Sequence, residues 1–288
     1  MGKQIFYSLT LLVFLVTGCG KGSKKDAIKV ISLNIKHENP NDSLNSWLNR
    51  IDPVLEFIYQ EDPDIIGMQE VLWTQYTVLD SALDKYASAG IAGEDGFRKG
   101  EMNPVFFRKD KFDITRTLTF WLSEEPDSAG SLGWGSLSPR IVTWVELVKK
   151  DSHEHLFFFN TRFAEDSDSA RLRSSMILND EIPKIAGSFP FIVAGDFNMF
   201  PHSPEYSALA GEGANLSVLQ DSYLVSEKKP EGPEFTFNNF SDETGFGRTD
   251  YILVKSGLKV YEHTIVPYKK GSIFISNHWP VVATIGLN

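Results

Sequence analysis

Cysteine is all but missing from this chain. Cys19 is the only one in 288 residues, so no internal disulfide can form, no cysteine-based zinc site exists, and stability has to come from packing. Positive charge is also scarce. Lys and Arg number 28 against 38 Asp and Glu, and the formal net charge of −10 removes any general attraction to polyanions. Duplex nucleic acid is therefore a disfavoured substrate, although a local basic pocket can still hold one phosphate. No repeat, low-complexity tract or Pro/Gly-rich linker divides the chain after residue 27, which leaves one domain as the simplest count. A hydrophobic content of 42% is enough for that domain to bury a large core.

What is present begins with an N-terminal segment unlike the rest. Lys3 supplies a short basic region, Ile5 to Val16 an apolar stretch too short to span a bilayer comfortably, and Thr17 and Gly18 are small residues before the cysteine. Val16-Thr17-Gly18-Cys19 resembles the lipobox of bacterial lipoproteins, which implies cleavage before Cys19 and acylation of that residue. Residues 1–18 then read as a signal peptide, 19–27 as a lipidated polar tether and 28–288 as the folded domain, anchored in a bacterial cell envelope outside the cytoplasm. An uncleaved anchor, or an ordinary signal peptide with an incidental cysteine, is the alternative.

Beyond Asp26 short apolar runs rich in β-branched residues alternate with turn signals. Strands are expected at Ile28–Ile35, Asp64–Met68, Pro104–Arg108, Arg140–Leu147, Leu156–Thr161, Phe189–Ala194, Tyr251–Val254 and Val281–Ile285. Helices are expected at Leu44–Gln60, with Leu48, Ile51, Leu55 and Ile58 on one face, at Trp73–Tyr86 and at Ser169–Ile185. Strands that follow one another directly, mixed with a few long helices, point to an α/β fold of two packed sheets with helices outside rather than a doubly wound parallel sheet.

Five strand ends finish in polar residues of a kind that active sites use: Ser32-Leu33-Asn34-Ile35, Met68-Gln69-Glu70, Asn160-Thr161-Arg162, Gly195-Asp196-Phe197-Asn198, and the late pair Arg248-Thr249-Asp250-Tyr251 with Ser276-Asn277-His278. Hydrolysis of a phosphate ester needs a hard cation on oxygen ligands, a positioned water and donors for the phosphoryl oxygens. Glu70 is an anionic oxygen ligand and Asn34 a neutral one, a set that suits Mg²⁺ or Mn²⁺. Asp196 can orient or deprotonate water, the Asn198 amide can donate to phosphate, and a protonated His278, its ring held by Asp250, can do the same. Each fragment alone also has an ordinary structural meaning: a solvated carboxylate, a turn-closing Asn, an Asx turn, a structural His.

Taken in order, the fragments resemble the signature of the endonuclease/exonuclease/phosphatase superfamily, from about Lys29 to Leu287. The resemblance takes in Gly100-Glu101, Pro104-Val105-Phe106-Phe107, Thr119-Phe120-Trp121-Leu122-Ser123, Pro126, Trp134, Arg140 and Thr143-Trp144, a group especially similar to bacterial secreted and lipoprotein members. It implies a four-layer sandwich of two mainly antiparallel sheets flanked by helices. It also implies a metal near Asn34 and Glu70, water and phosphate handled by Asp196 and Asn198, and Asp250 paired with His278.

Two positions depart from the signature. Arg162 stands where the family has the His of Asn-Thr-His, and Asn277 where it has the Asp of Ser-Asp-His. A guanidinium forks onto phosphate well but gives up no proton at neutral pH, and an amide in place of a carboxylate weakens metal binding. Glu101, placed where related nucleases keep a carboxylate, is a candidate partner for Arg162, and Arg140 a candidate support. Two functions follow. One is a Mg²⁺- or Mn²⁺-dependent phosphoesterase acting on a small, lipid-linked or sugar-linked phosphate; the other is a catalytically impaired relative that binds a phospholigand at the envelope surface. The membrane, through Cys19, is the one implied partner besides substrate, and no obligate protein partner is implied. The aromatic stretch Phe235–Phe246 reads either as a wall of the substrate pocket or as a surface loop packing its own rings, and Asp127–Ser138 as a candidate loop at the pocket edge.

Overall fold

A computed structural model of the chain describes residues 26–211, 218–243 and 245–287. The expected signal peptide and the Cys19 lipidation site lie outside the described residues. Among those described, no helix is long and apolar enough to cross a membrane.

The elements in chain order are β1 (Ile28–Asn34), α1 (Trp47–Glu61), β2 (Ile65–Gln69), α2 (Trp73–Ala82), β3 (Tyr86–Ala89), β4 (Val105–Arg108), β5 (Phe112–Trp121), β6 (Ile141–Lys149), β7 (His155–Arg162) and α3 (Asp168–Ala186). They continue with β8 (Phe191–Asp196), α4 (Pro204–Ala210), β9 (Leu219–Asp221), α5 (Ser222–Val225), β10 (Asp250–Lys255), β11 (Lys259–Ile265), β12 (Lys269–Lys270), β13 (Ile273–Phe274) and β14 (Val281–Gly286). One six-stranded sheet runs β11-β14-β1-β2-β4-β3 and a second runs β5-β6-β7-β8-β10-β9. Each contains one parallel pair, β1 with β2 and β7 with β8, among antiparallel neighbours. A parallel pair requires a long crossover, and α1 and α3 are those crossovers.

The expected four-layer sandwich is the observed one. Inner faces meet through Val30, Ile65, Val105, Val145, Phe158, Ile192, Ile252 and Ala283. The outer face of the second sheet, with Phe157, Phe159 and Val193, packs on Leu178 and Ile182 of α3; that of the first, with Ile31, Leu33 and Ile66, packs on Val54 and Phe57 of α1. Because β7 is covered on both sides, Leu156–Phe159 is an unbroken apolar run rather than an alternating one.

The two sheets are also joined by a polar clamp. Asn160 donates from Nδ2 to the carbonyls of Met68 (2.7 Å) and Pro104 (2.9 Å), and its Oδ1 accepts from Gln69 Nε2 (2.7 Å). A Cβ on Gly67 would come within 2.7 Å of Asn160 Oδ1, so only glycine leaves room for the clamp. Losing the Asn160 side chain would strand the Met68 carbonyl at a cost of about 1–3 kcal/mol, whereas the Pro104 carbonyl would keep the Met68 N–H at 3.1 Å.

Two expected helices need correction. The first starts at Trp47, not Leu44, and its buried face is Trp47, Arg50, Val54, Phe57 and Ile58. Leu48 is 76% exposed, because the helix turns toward the core a residue that composition hides, the fully buried Arg50. The second helix ends at Ala82, and Tyr86 begins β3 instead, its hydroxyl donating to the Pro63 carbonyl (2.7 Å). Strands β3, β5, β9, β11, β12 and β13 lie outside the expected set.

Candidate active site

Topology explains why distant segments meet. In each sheet the parallel pair finishes at the same edge, so Asn34, Gln69-Glu70, Arg162 and Asp196 arrive together. β10, antiparallel to β8, begins there with Asp250 opposite Asp196. The chain then reaches β14 through Ser276-Asn277-His278 at that edge. These ends line a cleft of about 540 Å³ that includes Lys36, Glu70, Arg162, Asn198, Asn277 and His278.

The turns are tight. Lys36 (φ 56°), Glu70 (φ 58°) and Asn198 (φ 49°) all hold left-handed backbone conformations, uncommon for residues with a Cβ and typical of functional sites. The fully buried Arg50 reaches under two of the cleft lips, donating to the carbonyls of Ile35, Lys36 (3.0 Å) and Ile275 (3.0 Å). Burial lowers its pKa to about 10, still charged at neutral pH.

Asn34 Nδ2 donates to Glu70 Oε1 and to Asp196 Oδ2, both at 2.9 Å, while its Oδ1 accepts from the Lys36 amide. Glu70 Oε2 meets His37 Nδ1 at 2.8 Å, and Glu70 Oε1 meets Arg162 Nη2 at 2.9 Å. Burial pushes the Glu70 carboxyl up, but Arg162, His37, Lys36 and Asn34 outweigh it and hold the group well below the usual carboxylate range. His37 is pushed up to about 9 by its hydrogen bonds to Glu101 (3.2 Å) and Glu70, so it is a cation at neutral pH.

Arg162 is the hub of the acidic side. Its Nη1 lies 3.2 Å from Glu101, its Nη2 2.9 Å from Glu165 and its Nε 3.4 Å from Asp196 Oδ2. Arg140 stands behind, 3.6 Å from Glu101, with its buried Nε lacking a partner among the described residues. Asp196 is fully enclosed; burial and the neighbouring Asp250 push its pKa up to about 6, against the pull of His278 and Arg162. His278 Nδ1 lies 2.8 Å from Asp250 Oδ2, and although burial opposes its charge, Asp250 and Asp196 raise it to about 9. Asn198 spends its amide on the Phe163 carbonyl (3.0 Å) and, at 3.4 Å, on Asp196, and its backbone N–H donates to Asp196 as well (3.2 Å). As placed, it orients Asp196 more than it faces a phosphate. Asn277 lines the cleft, its Oδ1 accepting from the Ser276 hydroxyl at 3.3 Å.

Sequence reading had not singled out His37, Lys36 or Glu165. His37 and Lys36 follow Asn34 within three residues, and that proximity was the available signal. The aromatic stretch lines the cleft through Phe237, Phe240 and Phe246, joined by Phe200. Phe246 is 92% exposed, a ring standing at the mouth. Asp127–Ser138 contributes Ser138 to a smaller neighbouring cavity of about 220 Å³ beside His37 and Glu101.

A divalent cation fits the donor chemistry. One carboxylate oxygen each from Glu70 and Asp196 and a ring nitrogen of His278 lie within 4.8 Å of one another, as do ligand atoms of His37, Glu70 and Glu101, so the carboxylates are the donors at neutral pH and either ring would ligate only after losing its proton. The Arg162 guanidinium already engages both Glu70 and Asp196, so it shares the space such an ion would use.

A sequence profile described as the Endonuclease/Exonuclease/phosphatase family matches residues 31–278. An endonuclease/exonuclease/phosphatase from Bacteroides vulgatus is 34% identical, with 91% of this chain and 99% of that one covered and a TM-score of 0.86. A mannosyl-6-phosphatase from Bacteroides thetaiotaomicron is 30% identical, with 90% and 99% covered and a TM-score of 0.83. An uncharacterized protein of Acanthamoeba polyphaga mimivirus is 27% identical over 276 residues, 88% of this chain and 98% of its own length.

Proposed function

We propose, for a chain that belongs to the endonuclease/exonuclease/phosphatase family, that it hydrolyses a small sugar-linked or lipid-linked phosphate ester with the help of Mg²⁺ or Mn²⁺. Members of this family are phosphoesterases. The observation that carries the reading is the meeting of Glu70 and His278 at the cleft with Asp196 and Asp250 directly behind them, Asp196 within 4.8 Å of both and Asp250 on His278 Nδ1.

Each side chain has work suited to its surroundings. Asp196, pushed up only to about 6, is mostly ionised at neutral pH and able to take a proton from a water near the phosphorus. Asn34 and Asn198 hold that carboxylate in place. His278, kept protonated by Asp250, presents its other ring nitrogen to a phosphoryl oxygen. Arg162 supplies a planar fork for the remaining oxygens. Glu70 would hold the metal with Asn277 beside it, while Asn34, its Nδ2 donating to Glu70, steadies that carboxylate; the ion when bound would polarise a phosphoryl oxygen and acidify water.

A sugar-linked substrate is favoured by the mouth of the cleft. Phe200, Phe237 and Phe246 offer ring faces beside the polar side chains of Asn39, Asp42 and Asn239, a mixture suited to an organic group with hydroxyls. The likeness to a mannosyl-6-phosphatase makes 6-phosphorylated mannosides the first compounds to try. Attachment to a bacterial envelope through Cys19, with residues 19–27 as tether and 28–288 as catalytic domain, completes the proposal and rests on residues 16–19. The competing reading, a phospholigand-binding protein without turnover, draws on Arg162 and Asn277.

Purified protein with Mg²⁺ or Mn²⁺ should release phosphate from mannose 6-phosphate or nitrophenol from bis-p-nitrophenyl phosphate. Glu70→Ala and His278→Ala should each lower kcat/KM by about 10³-fold or more. Equal rates in wild type and both variants would leave only the binding reading.

A further inference from the structure

Arg162 stands in an unusual place for a substrate-binding residue. It is 6% exposed, and its guanidinium points at carboxylates: Glu70 and Glu165 at 2.9 Å, Glu101 at 3.2 Å and Asp196 at 3.4 Å. Around these carboxylates stand the cations Arg162, Arg140 and Lys36, with the His37 ring hydrogen-bonded to Glu70 and Glu101. Every oxygen of Glu70 is occupied: Oε1 by Arg162 and Asn34, Oε2 by His37.

A small divalent ion binds carboxylate oxygens at about 2.0–2.1 Å, and here it would have to compete with the Arg162 and Asn34 donors for Glu70 Oε1 while standing next to a guanidinium charge that also engages Asp196, so ion and guanidinium disfavour each other. Arg162 and the ion are alternatives at Glu70. The guanidinium does have somewhere to go, because Arg162 also lines the cleft together with Asn198, Asn277 and His278. Glu165, one of its partners, has a side chain 62% exposed and free to follow. A phosphate group in the cleft offers two oxygens that the planar guanidinium can meet in a bidentate pair.

We propose that Arg162 sets which cation the Glu70–Asp196 cluster holds: the guanidinium itself in the ligand-free protein, and a divalent ion once a phosphate group has drawn Arg162 into the cleft. Phosphate and divalent metal then bind with positive coupling, and by linkage each tightens the other by the same factor. This rests on the reading of the cleft as a phosphate and metal site, and assigns Arg162 a role in cation choice that an imidazole at that position could not fill in the same way.

The test is Mn²⁺ binding, followed through the electron paramagnetic resonance signal of free Mn²⁺, with and without saturating inorganic phosphate and with a protein-free control for Mn²⁺–phosphate complexes. Wild type should bind Mn²⁺ weakly alone and about tenfold or more tighter with phosphate. Arg162→Ala and Arg162→His should bind Mn²⁺ tightly without phosphate and show coupling below about threefold, with melting curves confirming that both variants are folded. Wild-type affinity that is the same with and without phosphate, or unchanged in the two folded variants, overturns the proposal while leaving the hydrolase reading to its own assay. Absence of Mn²⁺ binding in wild type and variants alike overturns this proposal and the metal-dependent reading together.

Discussion

His278 and His263 are enclosed almost equally, 5% and 2% exposed, yet they are driven in opposite directions. Burial lowers both. His278 is nevertheless raised to about 9, because Asp250 sits 2.8 Å from its Nδ1 and Asp196 lies close by. His263 falls to about 4. Its Nδ1 meets only the Ser222 hydroxyl, at 2.8 Å, and its Nε2 has no partner among the described residues. A carboxylate is near in that region too, but Asp221 is taken by Arg248 (2.8 Å) and the Tyr206 hydroxyl (3.0 Å). Burial removes charge by default, and only a carboxylate in direct contact reverses it.

The strongest way to break this contrast is to give His278 the surroundings of His263. Asp250→Asn leaves a hydrogen-bonding partner but no charge, and kcat/KM at pH 8 should fall by about 100-fold or more as the imidazole loses its proton. A steady-state assay across pH would check it, and an unchanged rate would remove His278 from proton-donating duty. Smaller in size is the wild-type pH profile. Activity should rise as pH passes about 6 and Asp196 ionises, then decline through about 9 as His278 gives up its proton, each limb approaching tenfold per unit. A profile flat from 5 to 10 would contradict both assignments.

Smallest is the effect on stability, where the two histidines act with opposite sign. The folded-state pKa of His278 is raised, so its contribution is full below the unfolded value of 6.5 and disappears as pH climbs through about 9. For His263 it is depressed, so its contribution is full above 6.5 and is lost as pH falls toward about 4, at most on the order of 3 kcal/mol. His263→Gln should therefore flatten the acid side of a melting-temperature curve and leave kcat/KM within about threefold, since that ring is remote from the cleft.

Much of this is legible in the amino-acid sequence. The α3 crossover and the eight expected strands carry strong patterns, and the motif residues Asn34, Glu70, Asp196, Asp250 and His278 stand at strand ends that topology gathers. Strand β5 was not legible because its middle, from Asp113 to Leu118, is an exposed, Thr- and charge-rich outer edge with no buried face to set an alternation. The α1 face was legible at Ile51, Leu55 and Ile58, which pack on the core, but not at its start, where Leu48 is exposed and the buried Arg50 is spent on backbone carbonyls. His37 stayed hidden for a different reason: its neighbours Glu70 and Glu101 are 33 and 64 residues away in sequence and meet it only after Glu70 turns into its left-handed conformation. Two histidines in one chain look alike until the atom on each ring nitrogen is known.

The left-handed turns at Lys36, Glu70 and Asn198 carry one more implication. Such geometry survives in a residue with a Cβ only while its surroundings insist on it, so these corners are under tension that glycine would release. Glycine at any of the three would relax the backbone while erasing a side chain that the cleft uses. Directed evolution selecting only for heat resistance would then collect sturdy, silent proteins altered at the Lys36 corner, whose ammonium is only 3.7 Å from Glu70, but not at Glu70, whose loss would strand the buried Arg162 guanidinium.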